Sequence, residues 1–150
     1  MEFATLPPRF SQGATFTLEK GPVTTVQLVM YAGASGDFNR IHYDLPFAQT
    51  AGLGGVIAHG MLTMGFAGEL VSRWAGPDAT VRDIAARFLN PVRPGDTVSL
   101  TGTVEAVFTE PDGEGAQISF EGHTSTGPVI AGTAVVALPR RTEPGTVSSR

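Results

Sequence analysis

The sequence predicts an α+β fold, one long helix held by a strongly curved antiparallel sheet, on three observations. From Gly60 the segment GMLTMGFAGELVSRWAG is apolar on nearly every side, with Met61, Leu62, Met64, Phe66, Ala67, Leu70, Val71 and Trp74. A helix of that kind is wrapped by other structure rather than laid on a surface. After Pro77 helical periodicity stops, and runs rich in Val, Phe, Thr and Ile alternate with turn signals at the spacing of an antiparallel meander. Finally, 150 residues that are 41% hydrophobic and 16% charged fit one domain with one real core.

Taken in chain order, the first element is a short strand over Thr15–Glu19. A helix follows a Thr24 or Thr25 cap and runs through Val29 and Tyr31 to about Ala34, where Gly36 ends it. The central helix begins at Gly60, carries Glu69 and Arg73 four apart near its far end, and stops at Gly76-Pro77. Strands are then read near Ala79–Phe88, Thr97–Phe108, Gln117–Ser125 and Val129–Ala137. The turns between them are Arg93-Pro94-Gly95-Asp96, Pro111-Asp112-Gly113 and Thr126-Gly127, each with a residue that fixes φ or tolerates positive φ. Val98 to Val104 alternates apolar and polar, so one face of that strand is core. The domain is assigned to residues 1–138, and the polar, Pro- and Gly-bearing stretch 139–150 to a flexible tail. No internal repeat is visible.

Composition removes several function classes. A formal charge of −4 and a pI near 5.2 offer no basic stripe for nucleic acid and no Lys/Arg cluster for a membrane surface. Without cysteine there are no disulfides, thiol nucleophiles or thiolate metal sites, which agrees with a cytoplasmic setting. MEFATLPPRF lacks the basic start and apolar core of a signal peptide. The apolar stretch Gly52–Val71 approaches the length of a bilayer span, but it contains His59, Glu69 and several glycines, so membrane insertion is not expected.

The chemistry-bearing stretch is Ala34-Ser35-Gly36-Asp37-Phe38-Asn39-Arg40-Ile41-His42, which places an aspartate and a histidine at either end of an irregular turn. Read locally, Asp37 is either a turn residue bonded to the Asn39 backbone or half of an acid/base pair, and His42 either a satisfied, partly buried histidine or the other half. His59 reads as a contact at the start of the central helix, and His123 as a surface residue. No metal site is assigned. His42, Asp44 and His59 can be assembled on paper, but there is no H-E-x-x-H. Ser35 lacks the G-x-S-x-G setting of a nucleophile, and the glycine-rich segments lack phosphate-loop order.

Three separated features carry a family resemblance. Tyr31 to Asp44, YAGASGDFNRIHYD, resembles the hydratase signature of MaoC-type (R)-specific enoyl-thioester hydratases and 3-hydroxyacyl-thioester dehydratases. Ile57-Ala58-His59-Gly60-Met61-Leu62 resembles the start of that family's central helix, and Arg87-Phe88 with Pro91-Val92-Arg93-Pro94-Gly95-Asp96-Thr97 its strand and P-G-D turn. The wording leans toward the catalytic-subunit type of actinobacterial fatty-acid-elongation dehydratases. The resemblance implies the hotdog fold, normally dimeric, and reversible hydration of trans-2-enoyl thioesters to (R)-3-hydroxyacyl thioesters without metal or organic cofactor.

By that resemblance Asp37 and His42, in a closed pocket, form a dyad around one water or hydroxyl. Dehydration removes a C2 proton and expels a C3 hydroxyl, so one group takes a proton and another gives one. Gly60 supplies a backbone N–H and the positive end of the helix for the enolate oxygen. Asn39 braces the loop or holds the water, and His59, Met61 and Arg40 are counted as supporting or substrate-binding residues. Met61, Met64, Phe66 and Phe88 are expected to set pocket depth. Arg40 stands where the family usually has proline, which leaves the stiffness of the turn open; a surface arginine or a contact to a CoA or carrier-arm phosphate would account for it. The expected partners are an acyl-CoA or acyl-carrier-protein thioester and a second hotdog subunit, as homodimer or heterodimer. A non-catalytic acyl-binding subunit and a thioesterase on the same fold are the alternatives.

Overall fold

The structure, a computed structural model, describes residues 10–139. Five strands, β1 (Thr15–Lys20), β2 (Thr80–Phe88), β3 (Val98–Glu110), β4 (Gly113–Thr124) and β5 (Gly127–Pro139), form one sheet. Its order is β1-β3-β4-β5-β2, with every pair antiparallel. Three helices, α1 (Thr25–Ser35), α2 (Leu45–Thr50) and α3 (Gly60–Ala75), and a one-turn 3-10 helix over Arg40–His42 complete the elements. All predicted elements are present. The strands run longer than the sequence suggested because the ladders continue through polar residues, as in Glu110↔Gly113 and Thr124↔Gly127. Helix α2 was not predicted; it is short, begins on an Asp44 cap and carries Pro46 in its first turn. Pro139 closes β5, while the remainder of the predicted tail, and the N-terminal segment read for a signal peptide, lie outside the described residues.

Local chemistry explains the boundaries. The Thr24 side chain accepts from the Gln27 amide to open α1, and Gly36, at φ 75°, closes it with its N–H on the Ala32 carbonyl. Gly76 ends α3 at φ 91°. In β3, Val98, Leu100, Gly102 and Val104 face inward, as the alternation predicted. Register shifts at Val81/Asp83, Val104/Ala106 and Gly122/His123 break the ladders locally and bend the sheet around α3.

Helix α3 buries a narrower face than its composition suggested. Leu62, Thr63, Phe66, Ala67, Leu70, Val71 and Ala75 form the buried stripe, packed with Leu100, Ile118, Ile130 and Val136 of the sheet, whereas Met61 is 57% exposed. The sheet therefore covers one side of the helix. At its C-terminal end Trp74 stacks between Phe10 and Phe16, with ring centroids 4.7 and 4.5 Å away. Beside it Glu69 binds Lys20 of β1 at 2.8 Å and Arg73 at 2.6 Å, tying helix to edge strand. The Lys20 hydrogen bond chiefly, with the charges of Lys20 and Arg73, holds the Glu69 carboxyl below its ordinary range against the opposing effect of partial burial.

Two outcomes follow. A carboxyl lowered in the folded state adds stability above its unfolded pKa and loses it as pH falls through the folded value. Glu69→Gln is therefore expected to lower stability at neutral pH by less than about 1 kcal/mol, with the difference from wild type vanishing in acid, read from thermal melts across pH. Gly132 faces β2 so closely that a Cβ there would collide with the Ala85 carbonyl oxygen and stand 3.0 Å from the Ala86 Cα. Gly132→Ala is expected to cost roughly 1–3 kcal/mol in urea unfolding; an unchanged midpoint would contradict this packing.

Candidate active site

The site forms where the turn after α1 meets the segment leading into α3. Three hydrogen bonds join the two stretches. The Ile57 amide donates to the Ile41 carbonyl at 3.2 Å, His42 Nδ1 lies 2.7 Å from the Ile57 carbonyl, and His59 Nε2 lies 3.1 Å from the Asp37 carbonyl. On the other side the Ala58 amide donates to the Val92 carbonyl at 2.8 Å, so residues 57–59 are held between the turn and the strand extension after β2.

The turn is braced by its own side chains. Asp37 Oδ1 accepts from the Asn39 amide at 3.1 Å, and Asn39 Oδ1 accepts from the Ile41 amide at 3.2 Å, capping the 3-10 turn. The turn reading of Asp37 is thus met, and its other oxygen, Oδ2, faces His42 Nε2 at 3.8 Å. The His42 ring is buried, at 7% exposure. The Asp37 side chain is 53% exposed, which corrects the expectation that this carboxylate sits in a closed pocket; it follows directly on the Gly36 cap, where the chain emerges from α1.

The tautomer of His42 follows from its partners. A carbonyl can only accept, so the Nδ1 facing Ile57 carries the proton in the neutral ring, and Nε2 presents its lone pair toward Asp37. A cavity of about 370 Å³ opens beside it, lined in part by His42, Gly60, Thr63, Phe88, Asn90 and Val129. Gly60 is the first residue of α3, where amides lack intrahelical acceptors, and His59 provides no side-chain cap. An anion at that end of the cavity meets a free N–H and the positive pole of a sixteen-residue helix. The Phe88 ring lies 3.0–3.2 Å from where a Cβ on Gly60 would stand, so only glycine fits there with that ring in place.

The other predicted residues divide. Met61 points away from the cavity and is exposed, because position 61 falls opposite the buried stripe of α3; it does not line the site. Phe66 is core and Met64 packs on the core, so of the four residues expected to set pocket depth only Phe88 lines the cavity. Thr63, Asn90 and Val129 were not singled out in the sequence, and nothing local marks them; they reach the cavity through packing of α3 against the sheet. His123 is exposed on β4 near Glu121, as expected.

Arg40 is a surface arginine, 57% exposed, that does not line the cavity but is paired locally. Its Nε and Nη2 both donate to Asp44 Oδ2, at 3.0 and 2.7 Å, and its guanidinium lies 4.4 Å from the Phe47 ring centroid. The Arg40 hydrogen bond, then the Phe47 amide, hold the Asp44 carboxyl below its ordinary value. Arg40 therefore stiffens the turn by clamping the cap of α2. The assembly of His42, Asp44 and His59 considered as metal ligands is not formed, since Asp44 is committed to this clamp. Asp37 takes its place within 4.8 Å of the two imidazoles. Those rings stack at 3.7 Å with planes 23° apart, so their in-plane lone pairs run nearly side by side and do not converge on one ion.

Comparison with known proteins places this geometry. The MaoC-like domain pattern matches residues 8–125. The chain belongs to the MaoC-like dehydratase family. It is 36% identical over 100 residues to the (R)-specific enoyl-CoA hydratase of Rhodospirillum rubrum, covering 66% of this chain and 69% of that one. It is 30% identical over 139 residues to the 3-hydroxybutyryl-CoA dehydratase of Methylorubrum extorquens, covering 92% and 87%. Both relatives are hydro-lyases, and the chain is a MaoC-like hydro-lyase by class. Among solved structures, the (R)-hydratase from A. caviae involved in PHA biosynthesis superposes with a TM-score of 0.76 at 30% identity, over 87% of this chain and 98% of that one. The fold of this MaoC-like protein is the hotdog that the sequence resemblance implied. No helix among the described residues is long and apolar enough to cross a membrane.

The family's usual proline can now be set against this turn. No acceptor is engaged by the Arg40 amide among the described residues, and Asn39 at φ −60°, ψ 125° already has the extended conformation that precedes proline. Arg40→Pro is expected to keep the fold and the melting temperature near wild type, while Arg40→Ala, with neither ring nor clamp, melts below both; thermal unfolding of the three proteins checks the order.

Proposed function

We propose that this MaoC-like protein adds water reversibly across the C2=C3 bond of trans-2-enoyl thioesters, giving (R)-3-hydroxyacyl thioesters, with Asp37 and His42 as the acid/base dyad. The observation that carries this reading is the His42 tautomer. With Nδ1–H fixed on the Ile57 carbonyl, a bare Nε2 faces Asp37 Oδ2 across 3.8 Å, a gap that a single oxygen atom about 2.8 Å from each spans. In hydration that oxygen is the attacking water. It gives a proton to Nε2 as the O–C3 bond forms, the C2=C3 π pair becomes the C1=C2 bond, and the carbonyl π pair moves onto the thioester oxygen, giving an enolate. The Gly60 N–H at the head of α3 receives that oxygen's charge. C2 then takes a proton from the protonated dyad, so the elements of water are added and both groups return to their starting state. Dehydration is the reverse.

The substrate class rests on the relatives, both of which are named for CoA thioesters. The cavity volume and its lining by Ile41, Ile57, Phe88 and Val129 suit an acyl chain. We further propose that the protein works as a pair of subunits. Support comes from β2, an edge strand with one side unpaired, and from the exposed Phe88, Leu89 and Met61 beside it. The solved ChsH1–ChsH2 complex of Mycobacterium tuberculosis, 26% identical with a TM-score of 0.76, keeps a heterodimeric pairing open.

The test is an absorbance assay of the purified chain with trans-2-enoyl-CoA substrates of increasing length, with thiol release followed in parallel. Asp37→Asn and His42→Ala are each expected to lose on the order of 10²–10⁴ in kcat while keeping the wild-type melting profile. Substantial turnover in either variant would overturn the dyad. Thiol release without loss of enoyl absorbance would point to hydrolysis, and acyl-CoA binding without turnover to a binding subunit. Light scattering at micromolar concentration reports the subunit count, and a monomer would count against pairing.

A further inference from the structure

His59 is a fully buried imidazole, 1% exposed, that the chemistry above does not use. Its Nε2 faces the Asp37 carbonyl at 3.1 Å, so Nε2 carries the proton, and its Nδ1 is buried with no partner among the described residues. The ring is held as the Nε2–H tautomer, with its Nδ1 lone pair turned into the interior. It stacks on the His42 ring at 3.7 Å and 23°, and Tyr31 closes its other flank at 4.9 Å and 55°.

We infer that His59 is a positioning residue that fixes both members of the acid/base pair at once. A single hydrogen bond at Nδ1 tolerates a range of angles, so χ1 and χ2 of His42 can still tilt the ring and carry Nε2 away from Asp37. The His59 ring lying flat against it removes that freedom. The same His59 ring holds the Asp37 main chain through Nε2–H, so the backbone that carries the carboxylate and the plane of the imidazole are referred to one rigid group. The 3.8 Å separation is thereby kept at a value that one oxygen beside both atoms can bridge. His59 does not line the cavity; it acts through His42 and Asp37. The titratable groups facing it are those two residues and Tyr31. The inference rests on the dyad proposed above and goes beyond it by assigning what sets the dyad's geometry.

Two variants each remove one half of the device. His59→Phe keeps a ring for stacking and loses the donor, and His59→Gln keeps a donor and loses the ring. Both are expected to lower kcat on the order of 10²-fold or less, with KM changed far less. In a His42→Ala background His59→Phe is expected to cost far less than in the wild type, because the pair it positions no longer works as a pair. Wild-type kcat in both variants, a change confined to KM, or the same loss in the His42→Ala background as in the wild type would overturn the inference. If the variants do not fold, imidazole ¹⁵N NMR of the wild-type protein decides. A His59 ring with a slowly exchanging Nε2 proton is expected, and an Nδ1–H tautomer would overturn it. Should Asp37→Asn and His42→Ala themselves retain activity, the dyad has failed, and the NMR result still reports on His59 alone.

Discussion

The arrangement depends on one short run of backbone, Ile57 to His59, caught between the turn after α1 and the strand extension after β2. Its amides and carbonyls bond to Ile41, His42 and Val92, and the His59 ring reaches Asp37. Remove this stitching and the His42 ring loses its carbonyl partner, since Asp37 is half-exposed and the bonds within the turn, which reach His42 only through its amide on the Asn39 carbonyl, do not hold the imidazole. The same run ends where α3 begins, so one segment sets the imidazole and delivers the free helix amide. The proposed acid/base groups and the proposed oxyanion donor are therefore parts of one construction a few residues long, and the sheet holds α3 beneath it.

The sheet does this asymmetrically. It buries one stripe of α3 and leaves Met61 in the open, and it locks the far end of the helix with the Phe10–Trp74–Phe16 stack and the Lys20–Glu69–Arg73 cluster. Rigid closure thus lies at the C-terminal end and the cavity at the N-terminal end. The cavity wall is completed by Phe88, the last residue of edge strand β2, so the site borders one of the two open edges of the sheet.

What the sequence revealed and what it withheld divide along physical lines. Turn glycines, threonine caps and alternating strands are local signals, and Gly36, Thr24 and Val98 to Val104 were legible for that reason. The pairing of Asp37 with His42 was only suggested by spacing; the family resemblance raised it, and the coordinates set the two 3.8 Å apart. The commitment of Arg40 to Asp44 was not legible, because a four-residue spacing of opposite charges in an irregular segment has no fixed geometry until α2 forms and makes Asp44 its cap. Met61 misled because apolar character on a helix says nothing about which side the sheet covers. The contact between His59 and the Asp37 carbonyl joins residues 22 positions apart through a main-chain atom, which no side-chain pattern records.

That both histidines are set by carbonyls has a consequence for how such a site can change. Ile57 supplies the acceptor for His42 through its main chain while its side chain lines the cavity. Replacing that side chain reshapes the cavity and leaves the proton on the same nitrogen, because every residue brings the same C=O. Under the proposed function, substrate range and acid/base setting are thus written at one position on separable atoms, and drift in the first need not disturb the second.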